Sequence, residues 1–152
     1  MYIGIDPGKT GALAILDDKG NYINVLDFGQ DGLMSSLIDY APAVKFAYLE
    51  KVHSMPGQGV VSTFSFGENF GWWQGVLGSL CIPYTTIRPQ DWMKKYSLQK
   101  SSSSDKPGLE VARKMFPEAP LNLKKHHNRA DALLIARACW EDRQDDGFAQ
   151  GD

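Results

Sequence analysis

Three carboxylates in this chain stand where a fold could put them to chemical use. Asp6 directly follows the short apolar run 2–5 and precedes Pro7-Gly8, so it sits where a strand ends and the chain bends. Glu50 closes the apolar stretch Ala47-Tyr48-Leu49, and an acid in such surroundings is costly unless a proton or a cation joins it. Asp131 interrupts the small and apolar run Ala130 to Ala136. Alone it reads as a helix-start carboxylate that favours the dipole; beside the other two it reads as a third member of a cluster. His127 and Asn128 lie four and three residues before it, on its face if the helix reaches back that far, and either could supply a further ligand. Oxygen donors without a Cys or His cluster suit Mg²⁺, with Mn²⁺ as a substitute. Carboxylates gathered at one place suit two such ions about 3.5–4 Å apart, which activate water and stabilise the leaving oxygen of a phosphodiester. Metal-dependent hydrolysis of nucleic acid is the chemistry this set points to.

The elements that would position these acids can be read from the period of the apolar residues. Residues 2–5, 12–16 and 22–28 read as short strands separated by Pro7-Gly8 and by the turn at 17–21, which implies an antiparallel meander. A helix over 31–40 crosses to a fourth strand at 46–52, expected beside the first and parallel to it, which sets Asp6 next to Glu50. The stretch 53–59 reads as a loop, 62–80 as a long helix and 83–87 as a fifth strand. Pro89 opens a brief helix to about residue 96, the Ser-rich run 101–104 is loop, and 107–116 and 129–143 read as helices. The expected class is α/β: a mixed five-stranded sheet, three antiparallel strands then two parallel, with helices on both faces. One domain over 1–145 is expected, with 146–152 as a frayed tail.

Composition narrows the classes. With 152 residues, 43% hydrophobic and 22% charged, the chain has the makings of a packed core and is neither disordered nor fibrous. No apolar run reaches the roughly 18–20 residues of a spanning helix, and the start lacks the pattern of a signal peptide, so a cytoplasmic protein without membrane partners is expected, in a bacterial or phage-infected cell. Cys81 and Cys139, with no metal-type spacing, are expected to be reduced core residues. The net charge of -2 hides a division. Within 81–130, Arg88, Lys94, Lys95, Lys100, Lys106, Arg113, Lys114, Lys124, Lys125 and Arg129 outnumber the acids, whereas the flanking segments are acidic. That middle could meet phosphate, or could simply be a solvated basic surface.

Two motifs mislead. Gly8-Lys9-Thr10 resembles the end of a nucleotide-binding P-loop, but Ile3 stands where the first glycine is required. Asp6-Pro7-Gly8-Lys9-Thr10 satisfies the Asp-x-Gly-x-Thr phosphate loop of actin-like ATPases, yet those proteins close two such domains over a nucleotide and this chain has length for one. No nucleotide cofactor is expected.

Several ordered segments together resemble the RuvC family of Holliday junction resolvases, particularly its phage and poxvirus-like branch, within the RNase H fold superfamily. They are Gly4-Ile5-Asp6-Pro7-Gly8 with Thr10-Gly11, Leu49-Glu50-Lys51-Val52, Ser62-Thr63-Phe64 with Phe66-Gly67 and Asn69-Phe70-Gly71, Ile82-Pro83-Tyr84 with Pro89 and Trp92, Phe116-Pro117, and Ala130-Asp131-Ala132-Leu133. The resemblance implies a homodimer that binds a four-way DNA junction and nicks two strands symmetrically with Mg²⁺, held by four acidic or polar ligands per subunit. Asp6, Glu50 and Asp131 match three of these. The family usually places another Asp or His just before the last Asp; here His127 and Asn128 occupy that stretch, and the fourth ligand stays open between them. A broader nuclease for flaps and forks, or a non-catalytic junction-binding protein of the same fold, would share much of this pattern.

Binding residues follow from charge and from position. Lys94, Lys95, Lys100, Lys106, Arg113, Lys124, Lys125 and Arg129 are candidate phosphate contacts. Met55 and Phe64, in or beside the loop after Glu50, could stack on unpaired bases, although Phe64 could equally be core. In the long helix, Gly67, Gly71 and Gly75 recur every four residues among Phe66, Phe70, Trp73 and Leu77. Gly costs about 1 kcal/mol relative to Ala inside a helix, so the stripe implies close packing, against the protein's own sheet or, as the resemblance suggests, against a second subunit.

Overall fold

The computed structural model describes residues 1–51, 59–98 and 107–148. Met55, Lys100, Lys106, the Ser-rich run and residues 149–152 lie outside them.

Alternation along the first strands decides how the layers are built. Strands β1 (Tyr2–Asp6), β2 (Ala12–Leu16) and β3 (Tyr22–Asp27) form an antiparallel meander, and β4 (Phe46–Glu50) and β5 (Tyr84–Ile87) extend the sheet in parallel on the other side of β1. The strand order is β3-β2-β1-β4-β5, which is the sheet expected from sequence. Ile3, Ile5, Leu13, Ile15, Ala47 and Leu49 point to one face. There they meet Leu33 and Leu37 of helix α1 (Leu33–Tyr40) and Trp73 and Leu77 of α2 (Val60–Ser79). Tyr2, Ala12, Ala14, Leu16 and Tyr48 point to the other face, covered by α3 (Pro89–Lys95), α4 (Pro107–Met115) and α5 (His127–Phe148). Among the described residues no helix is long and apolar enough to cross a membrane.

Helix α5 does most to position the site. Its run Ala132, Leu133, Leu134, Ile135, Ala136 has no solvent exposure, and each of the larger side chains contributes about 1.5–3 kcal/mol by leaving water. The helix lies against β1 at Gly4, where an added Cβ would stand 2.1 Å from the Ala136 nitrogen and 2.3 Å from the Ala132 oxygen. Only glycine allows backbone to meet backbone there. Gly4 and the alanines facing it therefore set how near Asp131 comes to the end of β1.

Several boundaries and environments differ from the sequence expectations. Helix α2 begins at Val60, so Phe64 lies within the helix, and at 66% exposure it is not core. Helix α5 begins at His127 and runs to Phe148, beyond the end expected near residue 143 and into the segment expected to fray. Its first turn carries both His127 and Asn128 back onto the Asp131 side. Pro42 sits inside a 3₁₀ turn, Ala41–Ala43, at the end of α1. Cys139 is buried, as expected, and its thiol is pushed up to about 12 by desolvation. Cys81 is instead exposed, in the turn after α2, with φ of 53°.

The glycine stripe also departs from one of its two readings. Among the described residues, a Cβ added at Gly67, Gly71 or Gly75 would have no neighbour within 4 Å, so the stripe does not pack on the protein's own sheet. Trp73 faces the other way and is fully buried in its own core, which removes it from the expected dimer surface. Phe70 also leans on that core, and Phe66 is half-buried.

Candidate functional site

The period of two in a strand gives Asp6 and Glu50 the same direction. In β1, Tyr2 and Gly4 face α5 and so does position 6; in β4, Tyr48 faces α5 and so does position 50. The parallel register pairs Gly4 with Tyr48 and Ile5 with Leu49, and its next step sets Asp6 beside Glu50 on neighbouring strands, about 4.8 Å apart. Both carboxylates thus emerge at the same sheet edge, under the start of α5, which carries Asp131.

Each acid has a defined surrounding. The Gly8 backbone N–H donates to Asp6 Oδ1 at 3.0 Å, a result of the bend that Pro7-Gly8 imposes after β1. The Trp92 indole N–H donates to Glu50 Oε1 at 2.8 Å. Gly108, in the first turn of α4, lies against Asp131: a Cβ there would be 3.1 Å from Asp131 Oδ1.

The three charges act on one another. Burial foremost, then the neighbouring Asp6 charge and, less, that of Asp131, against the Trp92 indole, together push the Glu50 carboxyl up to about 8. Asp6 is raised from its ordinary value by burial, against the Gly8 amide and the His127 side chain. Among the described residues no three His, Cys, Asp or Glu side chains close around one point. Asp6 and Asp131 each act on Glu50 through their charge. Their donors are all hard oxygens, the type that Mg²⁺ and Mn²⁺ take, so Asp6, Glu50 and Asp131 suit a divalent cation. His127, half-buried and close enough to influence Asp6, is placed beside them.

Asn128 has other work. Its side-chain amide nitrogen donates to the Thr10 carbonyl and, at 2.8 Å, to Thr10 Oγ1. This clamps the β1–β2 turn to the first turn of α5. The clamp engages the amide nitrogen only, so the Asn128 Oδ1 expected as a neutral donor takes no part in it.

A cavity of about 370 Å³, lined by His127 but by none of the three acids, lies between Lys9-Thr10, the end of β3 and residues 125–129. Lys9 and Lys125 are exposed at its rim. Sequence reasoning passed over Lys9, although its place directly after the Pro7-Gly8 bend was a usable signal.

The structure separates the expected phosphate contacts into two groups. Lys94, Lys124 and Lys125 are exposed. Arg129, by contrast, grips Asp27 with two bonds of 2.6 Å and reaches the Pro120 carbonyl at 3.2 Å. Arg113 donates to the Leu121 carbonyl at 2.8 Å and to Glu110 at 2.6 Å, and Lys95 pairs with Asp142 at 2.6 Å. These three are paired within the protein: Arg129 joins α5 to β3, Lys95 joins α3 to α5, and Arg113 joins α4 to the segment that follows it. On α2, Phe64, Gly67, Gly71 and Gly75 face solvent, distant in sequence from the acids but on one continuous helix.

No family model matches the chain. It is 31% identical over 97 residues to the Holliday junction resolvase MOC1, chloroplastic, of Chlamydomonas reinhardtii, a match covering 62% of this chain and 11% of that protein. The chain thus spans about a tenth of the curated relative's length. Among solved structures it is similar to Thermus thermophilus RuvC in complex with a Holliday junction substrate, with a TM-score of 0.64 at 14% identity over 94% of each chain. A second Thermus thermophilus RuvC structure gives a TM-score of 0.58 at 16% identity, covering 94% of this chain and 95% of that one. None of these three is a phage or poxvirus protein. The order and direction of the strands, and the helices that cover them, agree over nearly the whole chain: it has the RuvC-type, RNase H-like fold.

Proposed function

We propose that the chain is a Mg²⁺-dependent endonuclease that cuts four-way DNA junctions by paired, symmetric nicks as a homodimer. The observation that carries this reading is that Asp6 and Glu50 share one sheet edge under the helix that bears Asp131, with Asp6 and Asp131 both raising the cost of charge on Glu50. An inert binding module gains nothing from such repulsion. Similarity to resolvases supports the choice of branched DNA as substrate.

Asp6, Glu50 and Asp131 would hold the metal, with His127 nearest to serve as a fourth ligand or to handle a proton. A pair of bound ions supplies an activated water and stabilises the leaving oxygen. The chain's own contribution is to fix the acids. Gly8 orients Asp6, Trp92 holds Glu50, and the Asn128–Thr10 clamp locks the turn after Asp6 to the helix bearing Asp131. Lys9 and Lys125 line the adjoining cleft, where a backbone phosphate can approach the acids without meeting only negative charge.

The second subunit is assigned to the open face of α2. Val60, Val61 and Phe64 are exposed there at 85%, 80% and 66%, and the glycine stripe beside them leaves room for another backbone. Two copies give two acid clusters, which paired nicking requires. Gly71→Leu fills that space and should convert dimers to monomers in light scattering; an unaltered dimer removes the assignment.

The test of the whole reading is cleavage of a mobile four-way junction, a flap, a linear duplex and an RNA–DNA hybrid in Mg²⁺, with wild type and Asp6→Asn. Symmetric nicks in the junction, lost in the variant, are expected. Equal cutting of flaps would make the protein a general debranching nuclease. Junction binding with no cutting by wild type would overturn the catalytic reading.

A further inference from the structure

We infer that Trp92 is a positioning residue of the acid cluster, fixing one oxygen of Glu50 through its indole N–H and leaving the second oxygen for a cation. The inference rests on the reading of Asp6, Glu50 and Asp131 as metal ligands. The geometry is specific. Strands β4 and β5 are still paired one residue past Glu50, where Lys51 N–H donates to the Ile87 carbonyl at 2.7 Å. Helix α3 therefore leaves β5 beside Glu50. Its third turn-facing side chain after Pro89 is Trp92, 3% exposed and packed in the same apolar cluster as Ile87, Leu98 and Leu109.

Packing alone does not explain an indole here. A phenylalanine ring fills apolar space without a partner, whereas a buried indole N–H usually takes one; Trp73, the fully buried indole of α2, has none among the described residues. The partner is a carboxylate oxygen at 2.8 Å, so the bond is charge-assisted whenever Glu50 is ionised. An indole cannot ligate a metal and does not give up its proton at working pH. What it can do is hold a carboxylate in one rotamer.

The frame around it is braced for that task. Arg88 grips Asp91 with bonds of 2.8 and 3.0 Å across the first turn of α3. The helix is closed by Leu98 N–H donating to the Met93 carbonyl at 2.9 Å. Lys95 and Tyr96 then tie it to Asp142 and Glu141 of α5, the helix that carries Asp131. Groups that orient metal ligands in this way are worth about 10- to 100-fold in metal affinity or activity.

The experiment is calorimetric titration of Mn²⁺ into the DNA-free, full-length chain for wild type, Asp6→Asn and Trp92→Phe. Trp92→Phe keeps the ring and removes the donor, and about 10-fold weaker Mn²⁺ binding is expected. A second readout needs no variant to fold: the Trp92 indole ¹⁵N–¹H resonance of wild type should shift on Mg²⁺ addition, because the carboxylate that accepts its bond gains a cation on the other oxygen. Wild-type Mn²⁺ affinity in folded Trp92→Phe, or an indole resonance indifferent to a metal that binds, overturns the inference. If Asp6→Asn abolishes Mn²⁺ binding and Trp92→Phe does not weaken it, the positioning role fails alone. If Asp6→Asn also binds Mn²⁺ normally, the metal centre itself has been misassigned.

Discussion

Helices α5 and α2 have nearly the same length, 22 and 20 residues, and lie on opposite faces of the same sheet. Helix α5 is enclosed along Ala130 to Cys139 by β1, β2, β4 and α4. Helix α2 meets its own protomer mainly through Trp73 and Leu77, while its first turn and its glycines face solvent. Glycine shows the contrast most plainly. Under α5, Gly4 exists because another backbone is already there; along α2, Gly67, Gly71 and Gly75 leave a space that no described residue fills. A small residue in contact records packing that is complete, and a small residue in open space records packing left for something else. Helix α5 thus carries the proposed catalytic acid, and α2 carries the open face proposed for a second copy.

Substitutions can break that contrast in order of effect. The largest is chemical: Asp131→Asn should lower junction cleavage by roughly 10³-fold, the equivalent of several kcal/mol of lost metal stabilisation, while a filter-binding assay finds junction affinity retained. Next is Gly4→Ala, which forces a methyl into the α5 backbone; overpacking of this kind costs about 1–3 kcal/mol or more and should appear as a lower urea midpoint with an unchanged m-value. Smaller again is the joint change Lys9→Gln and Lys125→Gln, which should flatten the slope of log affinity for the junction against log salt by about 1.8 and leave stability alone. The smallest, and opposite in sign to Gly4→Ala, is Gly71→Ala, expected to raise protomer stability by about 0.5–1 kcal/mol because a helix-interior glycine is relieved without a clash. If Gly4→Ala and Gly71→Ala changed stability alike, the distinction between the two helices would be lost.

Much of the scaffold was legible before any coordinates because it depends on short periods. The alternation in residues 2–6 and 46–50 already puts Asp6 and Glu50 on one face, and a parallel pairing then makes them neighbours. Asp131 was legible as an acid inside an apolar helix. What could not be read were contacts between residues far apart in sequence. Trp92 is 42 positions from Glu50, Arg129 is 102 from Asp27, and Asn128 is 118 from Thr10. A basic side chain looks the same in sequence whether it faces DNA or a partner within the fold. Arg113, Lys95 and Arg129 were therefore grouped with Lys94 and Lys125, and only the packing of α3, α4 and α5 separates them. The glycine stripe was ambiguous for a related reason: its period fixes a helix face, and which neighbour that face meets depends on how far α2 reaches from the sheet.

The most direct test of the account is the anomalous scattering of crystals of the full chain soaked in Mn²⁺. Peaks bounded by Asp6, Glu50 and Asp131, and absent from Asp6→Asn crystals soaked in the same way, are the result predicted. Ordered Mn²⁺ bound elsewhere, with these three carboxylates left apart, would contradict it.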